Sequence, residues 1–221
     1  MGMIGPMKLR ALREQVAKQA RRLAAEGMVL GTAGNVSARD GDLVAITPTG
    51  IRLADVRAEQ VTVIDLDGAV VEGTLAPTSE LDLHLGVYRR YRAGAVVHTH
   101  ASMATAVSLV LDELPCVHYQ LMELGGTVRV APYRTFGTPE LADAVLDALD
   151  GRTAALMANH GALTHGADLE TATERALLLE WGCTLYWRAA TLGQPRTLTR
   201  AERTEYDAQV AKLAYGRTRE L

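Results

Sequence analysis

The sequence is poor in lysine and cysteine, and both shortages narrow the chemistry open to it. Only three of its 23 basic residues are lysines, Lys8, Lys18 and Lys212, and all lie in predicted helices near the two ends. An enzyme that forms a Schiff base needs a lysine in a desolvated pocket, so this route to carbonyl chemistry is disfavoured. The two cysteines, Cys116 and Cys183, fit no disulfide or metal-binding spacing, which is typical of a protein of the reducing cytoplasm.

The sequence also lacks an excess of charge of one sign and a long apolar run. A net charge of -3, from 23 basic and 26 acidic residues, gives no basic footprint for nucleic acid or for an anionic membrane. No segment approaches the roughly 18 consecutive apolar residues of a membrane span. With 221 residues and no linker-like segment, residues 1–221 are predicted to form a single domain with a full hydrophobic core. We therefore expect a globular cytoplasmic protein that binds neither nucleic acid nor membrane.

Helical and strand patterns alternate along the chain without an internal repeat. Apolar residues at three- and four-residue steps indicate helices, and Thr138 followed by Pro139 marks the start of one of them. Asp67-Gly68 between two apolar runs indicates a β-hairpin, whereas the glycine-rich residues 30–35 indicate a loop. Helices are expected at 7–26, 78–91, 101–111, 138–149, 168–190 and 200–214, and strands at 43–46, 61–66, 69–72, 95–98, 128–131, 154–157 and 162–164. Because hairpins argue against an all-parallel plan, the predicted class is α/β or α+β, with a mixed sheet covered by helices.

Three histidines and one glutamate form the strongest candidate site. His98 and His100 follow an apolar strand pattern, and side chains two residues apart on a strand point to the same face. Imidazole pairs of this kind suit Zn²⁺, and His160, at a turn between two predicted strands, is the natural third ligand. Glu80, at the beginning of a predicted helix, is the best carboxylate for a fourth position. The prediction is a site for Zn²⁺ or a similar borderline ion, formed by these four residues.

The same residues also have plainer interpretations. An acidic residue in the first turn of a helix is favoured by the helix dipole, which would explain Glu80 without a metal. A single His-x-His pair occurs by chance and is weak evidence when taken alone. Ser102 disagrees with a binuclear hydrolase pattern, which needs Asp there, and Ala104 and Thr105 disagree with a cupin pattern, which needs Glu. The remaining histidines are assigned structural or supporting roles: His84, His118 and His165.

Three short polar segments are suited to cradling an anion. They are residues 31–35, 47–50 and 77–79, which are rich in glycine, threonine and other small residues. Such segments expose backbone N–H groups and hydroxyls, which is how proteins bind phosphate, although most segments of this kind are simple turns. None matches a nucleotide-binding glycine pattern, so a nucleotide is disfavoured as the ligand.

Taken in order, the motifs of the chain resemble the class II aldolase/adducin family. They are G-T-A-G-N-V-S-x-R at 31–39, I-T-P-T-G at 46–50, P-T-S-E at 77–80, A-V-V-H-T-H-A at 95–101, A-P-Y-x-T-F-G-T at 131–138 and N-H-G-A at 159–162. Each motif is unspecific alone, but the ordered set is specific and spans nearly the whole chain. The resemblance implies a three-layer α/β/α fold around a mainly antiparallel sheet, and a homotetramer with fourfold symmetry.

The resemblance also implies a role for individual residues. Glu80, with His98, His100 and His160, would hold Zn²⁺ and would act as the general base once the substrate displaces it from the metal. Tyr119 would be the acid that protonates the aldehyde oxygen. The phosphate would be bound by Gly34, Asn35, Thr49, Gly50, Thr78 and Ser79. The aldehyde pocket would be lined by Phe136 and Tyr215 and completed by a neighbouring subunit.

The reaction implied by the resemblance is reversible cleavage of a ketose 1-phosphate, expected to be L-fuculose 1-phosphate, to dihydroxyacetone phosphate and L-lactaldehyde. It passes through an enediolate, whose negative charge Zn²⁺ stabilises as a Lewis acid. Two alternative activities remain possible within the family. One is that of another sugar-phosphate aldolase or dehydratase, and the other is that of L-ribulose 5-phosphate 4-epimerase, which carries Asp at the Glu80 position. Asn159 replaces a Gln that is expected for L-fuculose 1-phosphate, which leaves the aldehyde open. A non-catalytic adducin-like module is disfavoured, because nothing structural requires all four predicted ligands.

Overall fold

The strands of the protein pair into one mixed sheet. A computed structural model describes residues 7–213, and within this range the sheet has nine strands. They are β1 (Asn35–Asp40), β2 (Leu43–Ile46), β3 (Thr62–Asp65), β4 (Val70–Glu72), β5 (Ala95–Thr99), β6 (Glu113–Leu114), β7 (Val128–Ala131), β8 (Ala154–Met157) and β9 (Gly161–Gly166). Their order across the sheet is β4-β3-β2-β1-β5-β9-β8-β7-β6, and among these strands only β7 and β8 pair in parallel. The predicted mixed, mainly antiparallel sheet is confirmed.

Helices cover both faces of the sheet and complete the three layers. They are α1 (Arg10–Ala25), α2 (Leu81–Arg90), α3 (Ser102–Ser108), α4 (Pro139–Ala148), α5 (Leu169–Leu192) and α6 (Arg200–Leu213). One hydrophobic core joins α1, α3 and α5 to the sheet, and a second core joins α2 and α4 to its other face. None of the described helices combines the length and the apolar character needed to cross a bilayer.

Strand β5 lies in the middle of the sheet and directs its residues alternately into the two cores. Val97 is buried in the core of α1, α3 and α5, whereas Val96 is buried in the core of α2 and α4. Period-two alternation therefore turns His98 toward the α2 and α4 side. In the neighbouring strand β1, Asn35 lies opposite His98 and Ser37 lies opposite Val96. Polar residues of two adjacent strands are thus brought to the same side of the sheet.

Two local predictions near this region are wrong. The predicted loop over 30–35 ends one residue early, because β1 begins at Asn35 and pairs with both β2 and β5. The helix expected from residue 78 begins at Leu81, so Glu80 precedes the helix instead of lying in its first turn. Thr78 is held outside the helix because its N–H donates to the carbonyl of Thr47 at 3.2 Å. Glu80 therefore lies at the junction between an anchored loop and α2.

Candidate active site

His98 and His100 lie at the end of β5 with their ring nitrogens together. His98 is fully buried, and its Nδ1 donates to the carbonyl oxygen of Ala162 on β9 at 2.9 Å. In a neutral ring, a proton on Nδ1 leaves a lone pair on Nε2. The Nε2 atom of His100 lies 2.9 Å from the Nε2 atom of His98. A backbone carbonyl that fixes the far nitrogen is the usual support of a metal-ligating histidine.

His160 reaches the same point from the turn between β8 and β9. Its ring centroid lies 5.0 and 4.8 Å from the ring centroids of the other two histidines. Asn159, just before it, has a left-handed backbone with φ of 58°, a conformation that Asn tolerates better than most residues. Gly161, just after it, lies so close to the carbonyl of Thr99 that any side chain there would clash. The backbone on both sides therefore fixes the position of the His160 ring.

The Glu80 carboxylate completes the cluster from the start of α2. Its Oε2 lies 3.1 Å from Nε2 of His98, and its Oε1 lies 3.3 Å from Nε2 of His160. The side-chain amide of Asn35 donates to Oε2 at 3.1 Å, whereas Oε1 is buried and accepts no hydrogen bond from any described residue. Burying a carboxylate oxygen without a hydrogen bond is costly. A cation at this point would remove that cost.

The charges of the cluster favour a cation. Burial by itself raises the pKa of Glu80, but the imidazoles of His98 and His160 outweigh burial and hold that pKa well below its ordinary value. Burial and the neighbouring histidines lower the pKa of His100 to about 3, and that of His160 to about 4. Burial opposes a charge on His98, yet the adjacent carboxylate raises the pKa of that ring. At neutral pH the cluster therefore contains an anionic carboxylate and two neutral imidazoles with lone pairs to donate.

Together these four side chains form a donor set that could hold a divalent metal ion. One ligand atom from each of Glu80, His98, His100 and His160 lies within 4.8 Å of the others. Three imidazole nitrogens and one carboxylate oxygen are ligands that Zn²⁺ and related ions take in proteins. The unsatisfied Oε1 of Glu80 and the converging Nε2 atoms show that the residues fit such an ion.

A cavity of about 410 Å³ opens onto the cluster. Glu80, His100 and His160 contribute to its wall, whereas His98 lies fully buried behind them. The cavity is also lined by all the residues predicted to bind phosphate: Gly34, Asn35, Thr49, Gly50, Thr78 and Ser79. Phe136, predicted for the aldehyde pocket, lines it as well. Segments that are far apart in the sequence thus meet around one cavity.

The cavity has six further lining residues that the sequence analysis did not name individually as binding residues. They are Thr32, Ala33, Pro48, Tyr133, Arg134 and Asn159. Five of the six are specified by the family motifs, so a signal for them existed in the sequence, whereas Arg134 stands at the unspecified position of A-P-Y-x-T-F-G-T. The motifs did not indicate which of their residues face the cavity. Arg134 is the one arginine or lysine among the described lining residues, and it brings a positive charge to the wall.

Tyr119 does not join this cavity in its own chain. It is 40% exposed at the start of a 3₁₀ helix (Tyr119–Leu124) and lines a separate groove with Tyr206 and Leu213. Its ring centroid lies 4.5 Å from that of His118 and 5.6 Å from that of Tyr206. Tyr215, the other residue predicted for the aldehyde side, lies outside the described residues. Within one chain, the predicted acid Tyr119 therefore lies apart from the metal cluster.

The lysines of the chain are all exposed: Lys8, Lys18 and Lys212. A Schiff-base enzyme requires a lysine in a desolvated pocket. No lysine meets that requirement, which agrees with the expectation from the sequence.

The sequence is similar to those of known aldolases, which agrees with the metal cluster and the cavity described above. The chain matches the family described as Class II Aldolase and Adducin N-terminal domain over residues 14–187. It is 38% identical over 199 residues to the 5-deoxy-D-ribulose 1-phosphate aldolase of Bacillus thuringiensis serovar kurstaki, covering 89% of this chain and 93% of that protein. It is also 38% identical over 191 residues to the L-fuculose phosphate aldolase of Shigella flexneri, covering 86% of this chain and 88% of that protein.

The three-dimensional structure is also similar to that of a class II aldolase. A solved structure of an L-fuculose 1-phosphate aldolase superposes with a TM-score of 0.86 at 34% identity, covering 93% of this chain and 97% of that one. The matched family segment, residues 14–187, contains the glutamate and all three histidines of the metal cluster. The chain is therefore a member of the class II aldolase/adducin family, and its relatives group it with the class II aldolases.

Proposed function

We propose that this protein is a zinc-dependent aldolase that reversibly cleaves a ketose 1-phosphate to dihydroxyacetone phosphate and a short aldehyde. L-Fuculose 1-phosphate, which gives L-lactaldehyde, is the first candidate substrate. The observation that carries the proposal is the opening of one cavity onto both the Glu-His₃ cluster and the polar loops predicted for phosphate. A cation site and an anion site in a single cavity suit a phosphorylated ketone whose reacting carbons lie at the metal.

The phosphate of the substrate fits the polar part of the wall. Thr49, Thr78 and Ser79 bring hydroxyls to this wall, and Gly50 and Ser79 bring backbone N–H groups. Gly50 has φ of 73°, and a Cβ at this position would meet nothing within 4 Å, so the backbone conformation rather than packing requires glycine. The N-terminus of α2 follows Ser79 closely, and its dipole favours an anion. Arg134 adds a positive charge to the same cavity.

Glu80 is the proposed general base. Glu80 and the three histidines would hold Zn²⁺ before the substrate binds; with substrate bound and Glu80 displaced, the ion would supply Lewis-acid stabilisation of negative charge on the ketone and hydroxyl oxygens of the substrate. In the direction of bond formation, the Glu80 carboxylate takes a proton from the hydroxymethyl carbon of dihydroxyacetone phosphate, and the enediolate carbon then attacks the aldehyde. In cleavage the Glu80 carboxyl returns that proton to carbon. Its Oε1 suits this task, because no described residue donates a hydrogen bond to it.

Tyr119 of a neighbouring subunit is the proposed acid on the aldehyde side. Its phenol would give a proton to the aldehyde oxygen as the carbon–carbon bond forms, and would take it back during cleavage. Because Tyr119 lies on a groove apart from the cavity in its own chain, this role needs a second copy of the chain. The homotetramer that the family resemblance implies would provide that copy.

A 5-deoxyribulose 1-phosphate is the second candidate substrate. The relative named 5-deoxy-D-ribulose 1-phosphate aldolase is 38% identical to this chain, the same identity as the L-fuculose phosphate aldolase. Both candidates release dihydroxyacetone phosphate, and they differ in the aldehyde, which is L-lactaldehyde or acetaldehyde. Both aldehydes are short and end in a methyl group, which suits the aromatic rings of Tyr133 and Phe136 on the cavity wall. Selection between the two therefore depends on the aldehyde side of the cavity and not on the metal cluster.

Release of dihydroxyacetone phosphate from the two ketose 1-phosphates tests the proposal. The purified protein is assayed as isolated, after chelation, and after Zn²⁺ is returned. Release that is lost on chelation and restored by Zn²⁺ supports the aldolase, and the ratio of kcat/KM values assigns the substrate. A protein that contains zinc but releases nothing from either compound would contradict the proposed reaction, and L-ribulose 5-phosphate would then be tested for epimerisation.

A further inference from the structure

A buried chain of hydrogen bonds runs from Glu80 into the core on the α2 side. The amide nitrogen of Asn35 donates to Oε2 of Glu80 at 3.1 Å, and its Oδ1 lies 2.5 Å from Nε2 of His84. On the other side of that ring, Nδ1 lies 2.7 Å from the Ser37 hydroxyl, which in turn lies 2.7 Å from the Tyr88 hydroxyl. All five residues are at most 6% exposed.

Two sequence periodicities build this chain. Glu80, His84 and Tyr88 are four residues apart and follow one face of α2, starting from the residue that precedes the helix. Asn35 and Ser37 are two residues apart and follow one face of β1. The hydrogen bonds alternate between the helix and the strand, so that each polar side chain of one element is satisfied by the other.

The chemistry of these groups allows a single direction of donation. A carboxylate only accepts, so Asn35 presents its NH₂ group to Glu80 and its carbonyl oxygen to His84. Nε2 of His84 therefore carries a proton, and Nδ1 accepts from the hydroxyl of Ser37, which accepts from the hydroxyl of Tyr88. Burial, followed by the nearby charge of His98, lowers the pKa of His84 to about 3. The ring is thus neutral at neutral pH and keeps this one tautomer.

We propose that Asn35, His84, Ser37 and Tyr88 are positioning residues for Glu80. They hold Oε2 in place, so that Oε1 faces the other ligands and the substrate. This inference rests on the proposed function, because it supports the residue proposed there as the base. His84 is the decisive member, since it is fully buried and is absent from the described wall of the cavity. Its effect on catalysis must therefore pass through Asn35 and not through contact with a phosphate.

Two substitutions of His84 test the positioning role of this hydrogen-bond chain. His84→Gln keeps an amide N–H near the position of Nε2, whereas His84→Leu keeps a similar volume and removes the donor. His84→Leu should lower kcat for dihydroxyacetone phosphate release by about 10- to 100-fold, the usual scale for losing the support of a metal ligand, with KM unchanged. His84→Gln should retain most of the activity. Tyr91→Phe is the matched control, because it removes a hydroxyl that donates to the carbonyl of Leu146 and takes no part in the hydrogen-bond chain from Glu80 to Tyr88.

Cobalt(II) gives a second readout that needs no substrate. Co²⁺ is titrated into each metal-free protein, and its visible absorption reports the number and arrangement of the ligands. The spectrum of His84→Leu should shift toward that of Glu80→Gln, and Co²⁺ should bind about 10- to 100-fold more weakly. His84→Gln should resemble the wild type. A merely structural role for His84 would lower the Tm of His84→Leu without moving the cobalt spectrum.

The outcomes separate this inference from the proposed function. An unchanged kcat and cobalt spectrum in folded His84→Leu would overturn the positioning role. If His84→Leu does not fold, Ser37→Ala and Tyr88→Phe each remove one hydroxyl, and the absence of any shift in both would overturn it equally. A wild-type protein that releases no dihydroxyacetone phosphate would count against the proposed function. The cobalt spectra would still decide whether the hydrogen-bond chain positions Glu80.

Discussion

Oε2 of Glu80 lies 3.1 Å from Nε2 of His98, at the end of a strand in the middle of the sheet. The same carboxylate also lines the cavity, so it contacts the buried side of the cluster and the substrate side together. A residue in this position can serve as a ligand before the substrate binds and as a base afterwards. Burial alone would raise the pKa of Glu80, but the neighbouring imidazoles outweigh it and keep that pKa low, so the carboxylate is ionised and available as a metal ligand.

Glu80→Gln should abolish nearly all cleavage while leaving metal binding to the three histidines. A general base contributes about 100- to 10,000-fold to a rate, and glutamine has no basic oxygen to replace it. The measurement is kcat for dihydroxyacetone phosphate release together with the zinc content of the purified variant. Turnover near the wild-type level, in protein with full zinc, would remove Glu80 from the proposed mechanism.

Tyr119→Phe should slow cleavage far more than it slows exchange of the hydroxymethyl hydrogen of dihydroxyacetone phosphate with solvent. Exchange needs the base that takes this proton, whereas cleavage also needs the acid that serves the aldehyde oxygen. Exchange is followed by NMR in heavy water, and cleavage by product release. Tyr206→Phe is the control, because Tyr206 lies beside Tyr119 on the same groove and has no predicted role in proton transfer. An equal loss of both activities would place the role of Tyr119 elsewhere.

Mixed oligomers should recover activity if Tyr119 acts in a neighbouring subunit. A Glu80→Gln chain still carries Tyr119, and a Tyr119→Phe chain still carries Glu80, so the two variants together can form complete sites. With equal amounts and random assembly, about a quarter of the sites would combine both intact residues. The two chains are co-expressed with different tags, and the doubly purified protein is assayed. Activity no greater than that of the separate variants would mean that each site uses its own Tyr119.

Much of the fold could be predicted because its signals are local. The hairpin expected at Asp67-Gly68 is present as β3 and β4, and the Thr138 side chain caps α4 as expected. Strand β1 has the alternation of a half-buried strand, because Val36 and Ala38 lie between polar residues. The pattern does not reveal that the polar face, with Asn35 and Ser37, is buried as well, because the partners of these two residues belong to α2, far away in the sequence.

The metal cluster could be predicted because residue type and short spacing indicate it. The pair of His98 and His100 needs only one strand to bring both rings together, and the structure brings Glu80 and His160 to them. The role of His84 could not be predicted, since its partners lie on β1 and its own spacing suggests only a helix face. The separation of Tyr119 from the cavity of its own chain could not be predicted either, because the residues around Tyr119 do not indicate how far it lies from the metal cluster.

The unfolding free energy of the metal-free protein should fall as the pH is lowered from 7 to 5, in part because of His84. Burial, followed by the charge of His98, lowers its pKa to about 3 in the folded chain, whereas an unfolded histidine has a pKa near 6.5. Between these values the unfolded chain binds a proton that the folded chain does not, so acid favours unfolding. One such group contributes about 2 kcal/mol between pH 7 and pH 5.

Urea unfolding at the two pH values measures this contribution. His84→Gln lacks the titrating ring, so its loss of stability between pH 7 and pH 5 should be smaller than that of the wild type by about 2 kcal/mol. Histidines elsewhere in the chain contribute equally to both proteins and cancel in the comparison. Equal losses in the two proteins would show that folding does not lower the pKa of His84.

Asn159 should be replaceable by Gly but not by Ala, because its backbone is left-handed with φ of 58°. The side chain is exposed, so substitution removes little packing and the backbone conformation sets the cost. For an L-residue other than Asn or Gly this conformation costs about 1 kcal/mol, whereas Gly adopts it freely. Asn159→Ala should therefore lower the free energy of unfolding by about that amount and weaken Zn²⁺ binding, since His160 follows directly. Urea unfolding and zinc titration of both variants check this, and equal behaviour of Ala and Gly would mean that the Asn159 side chain, not its backbone, positions His160.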